Sequence, residues 1–213
     1  MANTKINRTP STSGSSTINT WSFWIKRSEI TTAQNIYAAV VNAGNDFGIK
    51  FTNTDELEIR YWYSGAYQFR IITNRKFKDV SGWYNIVIIQ NAGASTNTDR
   101  LQVWINGVRE TSFGTTDFPT SGQGAAPINS TSAIQAIGYN GDNSSYFSGS
   151  MSHINFVDGT AYNPSYFGST DSTTGEWKIN VSPSVTYGTN GYFILKDGNT
   201  ITDSSTNSNN FSL

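Results

Sequence analysis

The stretch from Gly82 to Glu110 constrains this chain most. Gly82-Trp83-Tyr84-Asn85-Ile86-Val87-Ile88-Ile89-Gln90 is β-branched and aromatic with little polar interruption, the pattern of a strand buried on both faces. After a polar loop, Leu101, Val103 and Ile105 alternate with Gln102 and Trp104, so the two sets face opposite sides of a strand. Asn106-Gly107 follows, and both residues tolerate the positive φ of a type I′ hairpin turn. That turn would set Ile105 opposite Val108 and Trp104 opposite Arg109, laying a guanidinium over an indole face. The centre is thus expected to be antiparallel sheet, and its flanks should be sheet too.

They read that way. Strand patterns cover Ile18–Lys26, Ile36–Val41, Phe47–Phe51, Leu57–Tyr63 and Ala66–Ile72, with turn residues at Asn42–Asp46 and Ser64-Gly65. Others follow at Ala133–Tyr139, Tyr146–Asp158 and Gly191–Lys196. Many short strands with turns between them predict an all-β fold, an antiparallel β-sandwich. Residues 112–133 read as a long surface loop and 169–190 as loop around Trp177. Asn163-Pro164 reads as cap and first residue of a single helical turn. Residues 1–16 read as a polar arm or weak edge strand, and 17–213 as one sandwich domain with a C-terminal extension.

Composition removes several function classes. A net charge of −1 offers no basic excess for nucleic acid. Cysteine is absent, so thiol chemistry and disulfides are absent, and the single histidine excludes a multi-histidine metal site. No apolar run is long enough to span a bilayer, and the N-terminus lacks the apolar core of a signal peptide. Charged residues make up 14% of the 213 residues, where about 25% is usual, so uncharged polar groups must cover the surface. Such a surface suits a protein working outside a cell or on a particle, reached by a route other than the usual signal, of which release by lysis inside an assembled particle is one.

The order of motifs resembles the concanavalin A-like, laminin-G-like jelly roll. The matching pieces are Trp21–Arg27, Gly82–Val87, Leu101–Val108, Ile137-Gly138 and Phe147–Met151. More narrowly it resembles the version carried by virion proteins of tailed, notably marine, phages. There an Arg-Thr-Pro element precedes the first Trp strand, seen here as Arg8-Thr9-Pro10. Asp158-Gly159, Phe167-Gly168 and Thr174-Gly175-Glu176-Trp177 continue past the jelly roll, and Tyr187–Tyr192, Asp203–Ser205 and Asn209–Phe211 close it. The resemblance implies a virion structural protein, exposed as a capsid decoration, fibre or tail component. It also implies other virion proteins as partners, host-surface glycans as a further partner class, and a homo-oligomer. The first rival is a carbohydrate-binding receptor-recognition module of the tail; a weaker one is a glycoside hydrolase. The anchor to the particle is expected in residues 1–16 and the jelly-roll flanks.

No catalytic residue is expected. Glucanases of this fold use a Glu-x-Asp-x-x-Glu signature, which is missing, and Glu56 and Glu58 read as a solvated strand face. Candidate ligand-binding residues are Tyr61, Trp62, Tyr63 and Tyr67 around the Ser64-Gly65 turn, as stacking platforms for a sugar. An intersubunit contact, and filling of the core or a second layer, are the alternative readings of such aromatics. Calcium is the one cofactor the loops could hold, at Asn140, Asp142 and Asn143 or at Asn42, Asn45 and Asp46, although one carboxylate per cluster is little charge for it. Ordinary turn chemistry is the favoured reading of both clusters. His153 reads as a structural, hydrogen-bonded histidine.

Overall fold

The computed structural model describes residues 5–213. In chain order the strands are β1 (Ile6–Arg8), β2 (Ile18–Arg27), β3 (Gln34–Asn42), β4 (Asn45–Phe51), β5 (Glu56–Tyr63), β6 (Ala66–Lys76) and β7 (Tyr84–Asn91). There follow β8 (Leu101–Ile105), β9 (Val108–Arg109), β10 (Phe113–Asp117), β11 (Ile134–Ile137), β12 (Gly149–Asp158), β13 (Gly168–Thr170), β14 (Trp177–Ile179) and β15 (Tyr192–Ile194). One sheet has the order β1-β11-β3-β4-β5-β6-β10 and the other β15-β12-β2-β7-β8-β9. The two enclose one core, where Trp21, Phe23, Ile25, Ile86 and Ile88 meet Tyr37, Phe47, Ile49, Ile59 and Phe69. Helix among the described residues is confined to Asn97–Arg100 and a 3-10 turn at Pro164–Tyr166. In that turn Asn163 Oδ1 accepts from Ser165 N at 3.1 Å, so the expected cap forms.

The central hairpin has the expected turn and register. Asn106 and Gly107 have φ of 48° and 76°, and Trp104 pairs with Arg109 and Ile105 with Val108. The expected stacking of Arg109 on Trp104 does not form. Arg109 donates instead to Asp99 Oδ1 at 2.6 Å and to Thr98 O at 2.9 Å, because a charged acceptor outbids an exposed ring face.

Two stretches read as loop carry structure. Within 112–133, β10 pairs with β6 as an edge strand, and Ala125 and Ile128 are buried. Within 169–190, β14 pairs with β13 as a small hairpin. Short strands rich in Gly, Thr and Ser lack the apolar alternation that announces a strand. The second stretch also explains why β7 is buried on both faces. Val87 and Ile89 on its outer side pack with Val157 and Phe167, against Tyr162, Val185 and Tyr187. Trp177 lies against the Asn106-Gly107 turn and donates from Nε1 to Asn85 Oδ1 at 2.9 Å.

Of the stretch read as an arm or weak edge strand, residues 1–4 lie outside the described residues, and β1 pairs with β11 at the sheet edge. Arg8 donates to Gln135 Oε1 (3.0 Å), Asn190 O (3.1 Å) and Asn209 Oδ1 (2.6 Å). Asp158 accepts from Ser15 N (2.8 Å), Asn129 Nδ2 (2.9 Å) and Asn190 N (3.0 Å). Asp203 accepts from the backbone of Phe193 (2.8 Å), Ser205 (2.9 Å) and Asn209 (2.8 Å). Thus Arg8, Asp158, Asp203 and Asn209, scattered along the chain as motif residues, meet in one hydrogen-bonded lock. At the opposite end of the sandwich, Arg27 and Asp55 form an ion pair of 3.0 Å with both side chains fully buried.

Candidate functional site

The outer face of the seven-stranded sheet is built by strand alternation. Phe47, Ile49, Leu57 and Ile59 point into the core, so their neighbours Asp46, Gly48, Lys50, Glu58, Arg60 and Trp62 point outward. The charges on this bed pair with each other. Arg60 meets Asp46 at 2.6 Å, and Glu58 meets Arg70 at 2.8 Å and Lys50 at 3.5 Å. Glu58 is 2% exposed, which corrects the expectation of a solvated side chain: Lys50 and Arg70 on the flanking strands cover it. Glu56, on the same strand, accepts from the Thr52 and Thr54 hydroxyls and meets Lys76 at 3.2 Å. Burial pushes the Glu56 carboxyl up, but those donors outweigh it and hold it at about 2. A glycosidase acid needs the reverse, a carboxyl raised to stay protonated.

Four aromatic residues were expected to act together, and the structure divides them. Trp62 and Tyr67 meet edge to face, centroids 4.8 Å apart, at the outer edge of this bed. The Arg70 guanidinium lies 4.6 Å from the Tyr67 centroid, which fixes the ring from one side. Tyr67 is 42% and Tyr63 47% exposed. Tyr61 faces the core at 6% exposure, packing on Phe69 at 5.9 Å and on Tyr63 at 6.3 Å. Period-two alternation is the reason: Tyr61 continues the inward set of Leu57 and Ile59. Beside this bed, the ideal Cβ position of Gly48 has only Arg60 and Asn35 side-chain atoms within 4 Å. Asn35 Oδ1 is buried there without a hydrogen-bond partner, an acceptor that sequence reasoning missed because Asn35 sits in a polar connection.

The two Asn/Asp clusters sit in separate turns, and Gly141 of the second packs on Val40, two residues from Asn42 of the first. Asn42 Oδ1 accepts from Gly44 N at 2.8 Å, capping its own turn, while Asp46 is committed to Arg60. In the second cluster Asp142 Oδ1 accepts from Ser144 N at 3.1 Å and its Oδ2 from Asn140 Nδ2 at 3.2 Å. The Lys5 ammonium donates to Asn143 Oδ1. Among the described residues no three carboxylate, imidazole or thiol side chains converge.

His153 sits at an irregularity of β12 with φ 46°. Its Nδ1 is 2.7 Å from Ser152 Oγ, and its ring is 5.7 Å from that of Phe193. Burial lowers its pKa below the ordinary 6.5, with Lys196 acting in the same direction and Asp197 against it. The unfolded chain therefore takes up this proton first as pH falls, so the contribution of the neutral ring is present above 6.5 and lost below it. An NMR titration of the ring should give a midpoint below 6.5; a midpoint at or above that value would contradict the burial described.

A family model described as the concanavalin A-like lectin/glucanases superfamily matches residues 2–164. The chain belongs to that superfamily. Its sandwich resembles that of a native heptameric SAP-like pentraxin from Limulus polyphemus, 14% identical, with TM-score 0.50 over 75% of this chain and 71% of the pentraxin. It also resembles a candidate carbohydrate-binding protein from Bacteroides ovatus, 12% identical, with TM-score 0.50 over 89% of this chain and 53% of that one. The chain thus spans about half the length of the Bacteroides protein. No curated protein matches. At these identities the likeness is one of fold. Residues 165–213, which complete the outer packing of β7 and the polar lock, lie beyond the matched span of the concanavalin A-like model.

Proposed function

We propose that the chain is a glycan-recognising structural domain displayed on a tailed-phage particle, as a capsid decoration, fibre or tail part. It acts by binding and not by hydrolysis. The observation that carries the binding reading is the Trp62–Tyr67 pair, a half-buried indole against an exposed phenol ring, on a bed of mutually paired charges. Fixed aromatic faces suit the apolar C–H face of a sugar ring, and they cost little conformational entropy to use. Asn35 Oδ1 adds a buried acceptor further along the same sheet face. The non-catalytic reading is supported by Glu56, whose hydroxyl and ammonium donors hold its carboxyl low, and by Glu58, whose oxygens are taken up by Arg70 and Lys50.

The particle context rests on the motif order. The convergence of Arg8, Asp158, Asp203 and Asn209 supports it by giving those distant motifs one shared structural role. Copies repeated on a symmetric particle would turn a weak single-site affinity into useful avidity. Localisation to the virion and homo-oligomerisation are part of this reading. Calcium at Asn140, Asp142 and Asn143 remains the cofactor to test, by thermal unfolding with and without the ion.

The test has two arms. Mass spectrometry of purified particles should find the intact protein, and its absence overturns the virion assignment. A glycan array with the purified protein should show binding that Trp62→Ala with Tyr67→Ala abolishes at unchanged melting temperature. Undiminished binding by that double variant overturns the assigned platform.

A further inference from the structure

The two sheets leave one side of the sandwich open, between the edge strands β9 and β10. A cavity of about 360 Å³ occupies this mouth, at the lower end of the size range of small-ligand pockets. Its apolar wall is Leu101, Phe113 and Phe118, the two phenyl rings edge to face at 5.6 Å. Its polar rim includes Thr98, Thr111 and Thr116, all exposed, whose hydroxyls make no hydrogen bond within the described chain. The two charged residues lining it are already neutralised. Arg109 is held by Asp99 at 2.6 Å, and Glu110 by Arg75 at 2.7 Å.

We infer that this mouth is a second saccharide site, separate from the Trp62–Tyr67 platform, and that it takes an uncharged sugar. A neutral pyranose has one face of C–H groups and a rim of hydroxyls, which matches paired phenyl rings beside free threonine hydroxyls. A charged ligand would have to break an existing ion pair to gain a partner. A purely apolar ligand would strip water from three hydroxyls without replacing it. The site shares only its ligand class with the platform and none of its residues.

The experiment is a backbone-amide NMR titration of the whole chain with neutral oligosaccharides of glucose, galactose and mannose. An acidic sialylated trisaccharide and a short-chain detergent serve as comparison probes. Amides of Leu101–Glu110 and Phe113–Phe118 should shift with a neutral sugar, in the wild type and equally in the Trp62→Ala, Tyr67→Ala variant. Thr116→Arg, which fills the mouth from an exposed position, should weaken binding there by about tenfold or more while the rest of the spectrum stays native. Phe118→Ala should do the same by removing half of the aromatic wall. Shifts confined to the platform overturn the second site and leave the proposed function standing. Preference for the acidic sugar or the detergent overturns the ligand class. Absence of shifts in the mouth with every neutral sugar, at concentrations above about 1 mM, overturns the site itself.

Discussion

Asp55→Asn is expected to lower stability by roughly 3–5 kcal/mol, because it leaves the buried Arg27 guanidinium without a counter-charge. Both side chains are 0% exposed and lie 3.0 Å apart. Arg27 also donates to Phe77 O at 2.6 Å and stacks 4.3 Å from the Phe51 centroid, so it has no path to water. Asp55 has φ 73° and accepts from Thr31 N at 2.7 Å. Asparagine tolerates that backbone and retains an acceptor for Thr31, so the substitution removes little except charge. Denaturant unfolding at constant m-value measures the loss. Adding Arg27→Met to Asp55→Asn should recover part of it, since no charge is then stranded. A loss below about 1 kcal/mol for Asp55→Asn would show that Arg27 reaches solvent.

Gly107→Val carries the second large effect, about 2–6 kcal/mol, from two separable causes. The first is conformational: φ is 76° in the type I′ turn, where a β-branched residue is strained. The second is steric: a Cβ at this position would lie 2.3 Å from Trp177 Cζ3. Gly65 offers the control. Its φ is 83° in the equivalent turn between β5 and β6, but a Cβ there meets nothing within 4 Å. Gly65→Val should therefore show only the conformational part, about 1–3 kcal/mol. Trp177→Ala should relieve most of the difference between the two glycine variants. Equal losses at Gly65 and Gly107 would mean that Trp177 does not pack on the hairpin.

The β2, β7 and β8 strands and the Asn106-Gly107 turn were legible because their signals are local. Each rests on an apolar period of two or on dipeptide turn chemistry. The outward position of Trp62 was legible for the same reason, since alternation alone separates it from Leu57 and Ile59, whereas its contact with Tyr67 depends on the register of the next strand. Tyr61 obeys that alternation as well, and grouping it with its neighbours by proximity in sequence put a core residue among the ligand candidates. Glu58 was misjudged because its burial depends on Lys50 and Arg70 from adjacent strands, whose pairing no local pattern reveals. The Arg27–Asp55 pair and the mouth between β9 and β10 were out of reach likewise. Both depend on where separate loops or sheet edges meet in space.

The position of β2 has a consequence for how the chain reaches this state. On one side β2 pairs with β7, and on the other with β12, which is synthesised much later. Until Gly149–Asp158 emerges, one edge of β2 has no partner, and Trp21, Phe23 and Ile25 lack the covering ring of Phe156 and its neighbours. Closure of such distant pairs is slow, and an unpaired apolar edge recruits other chains while it waits. Chains interrupted before Gly149 should therefore collect in the insoluble fraction, whereas chains carried past Asp158 can close both sides of β2. Yield of the intact protein will be set by synthesis rate and temperature as much as by the stability of the finished sandwich.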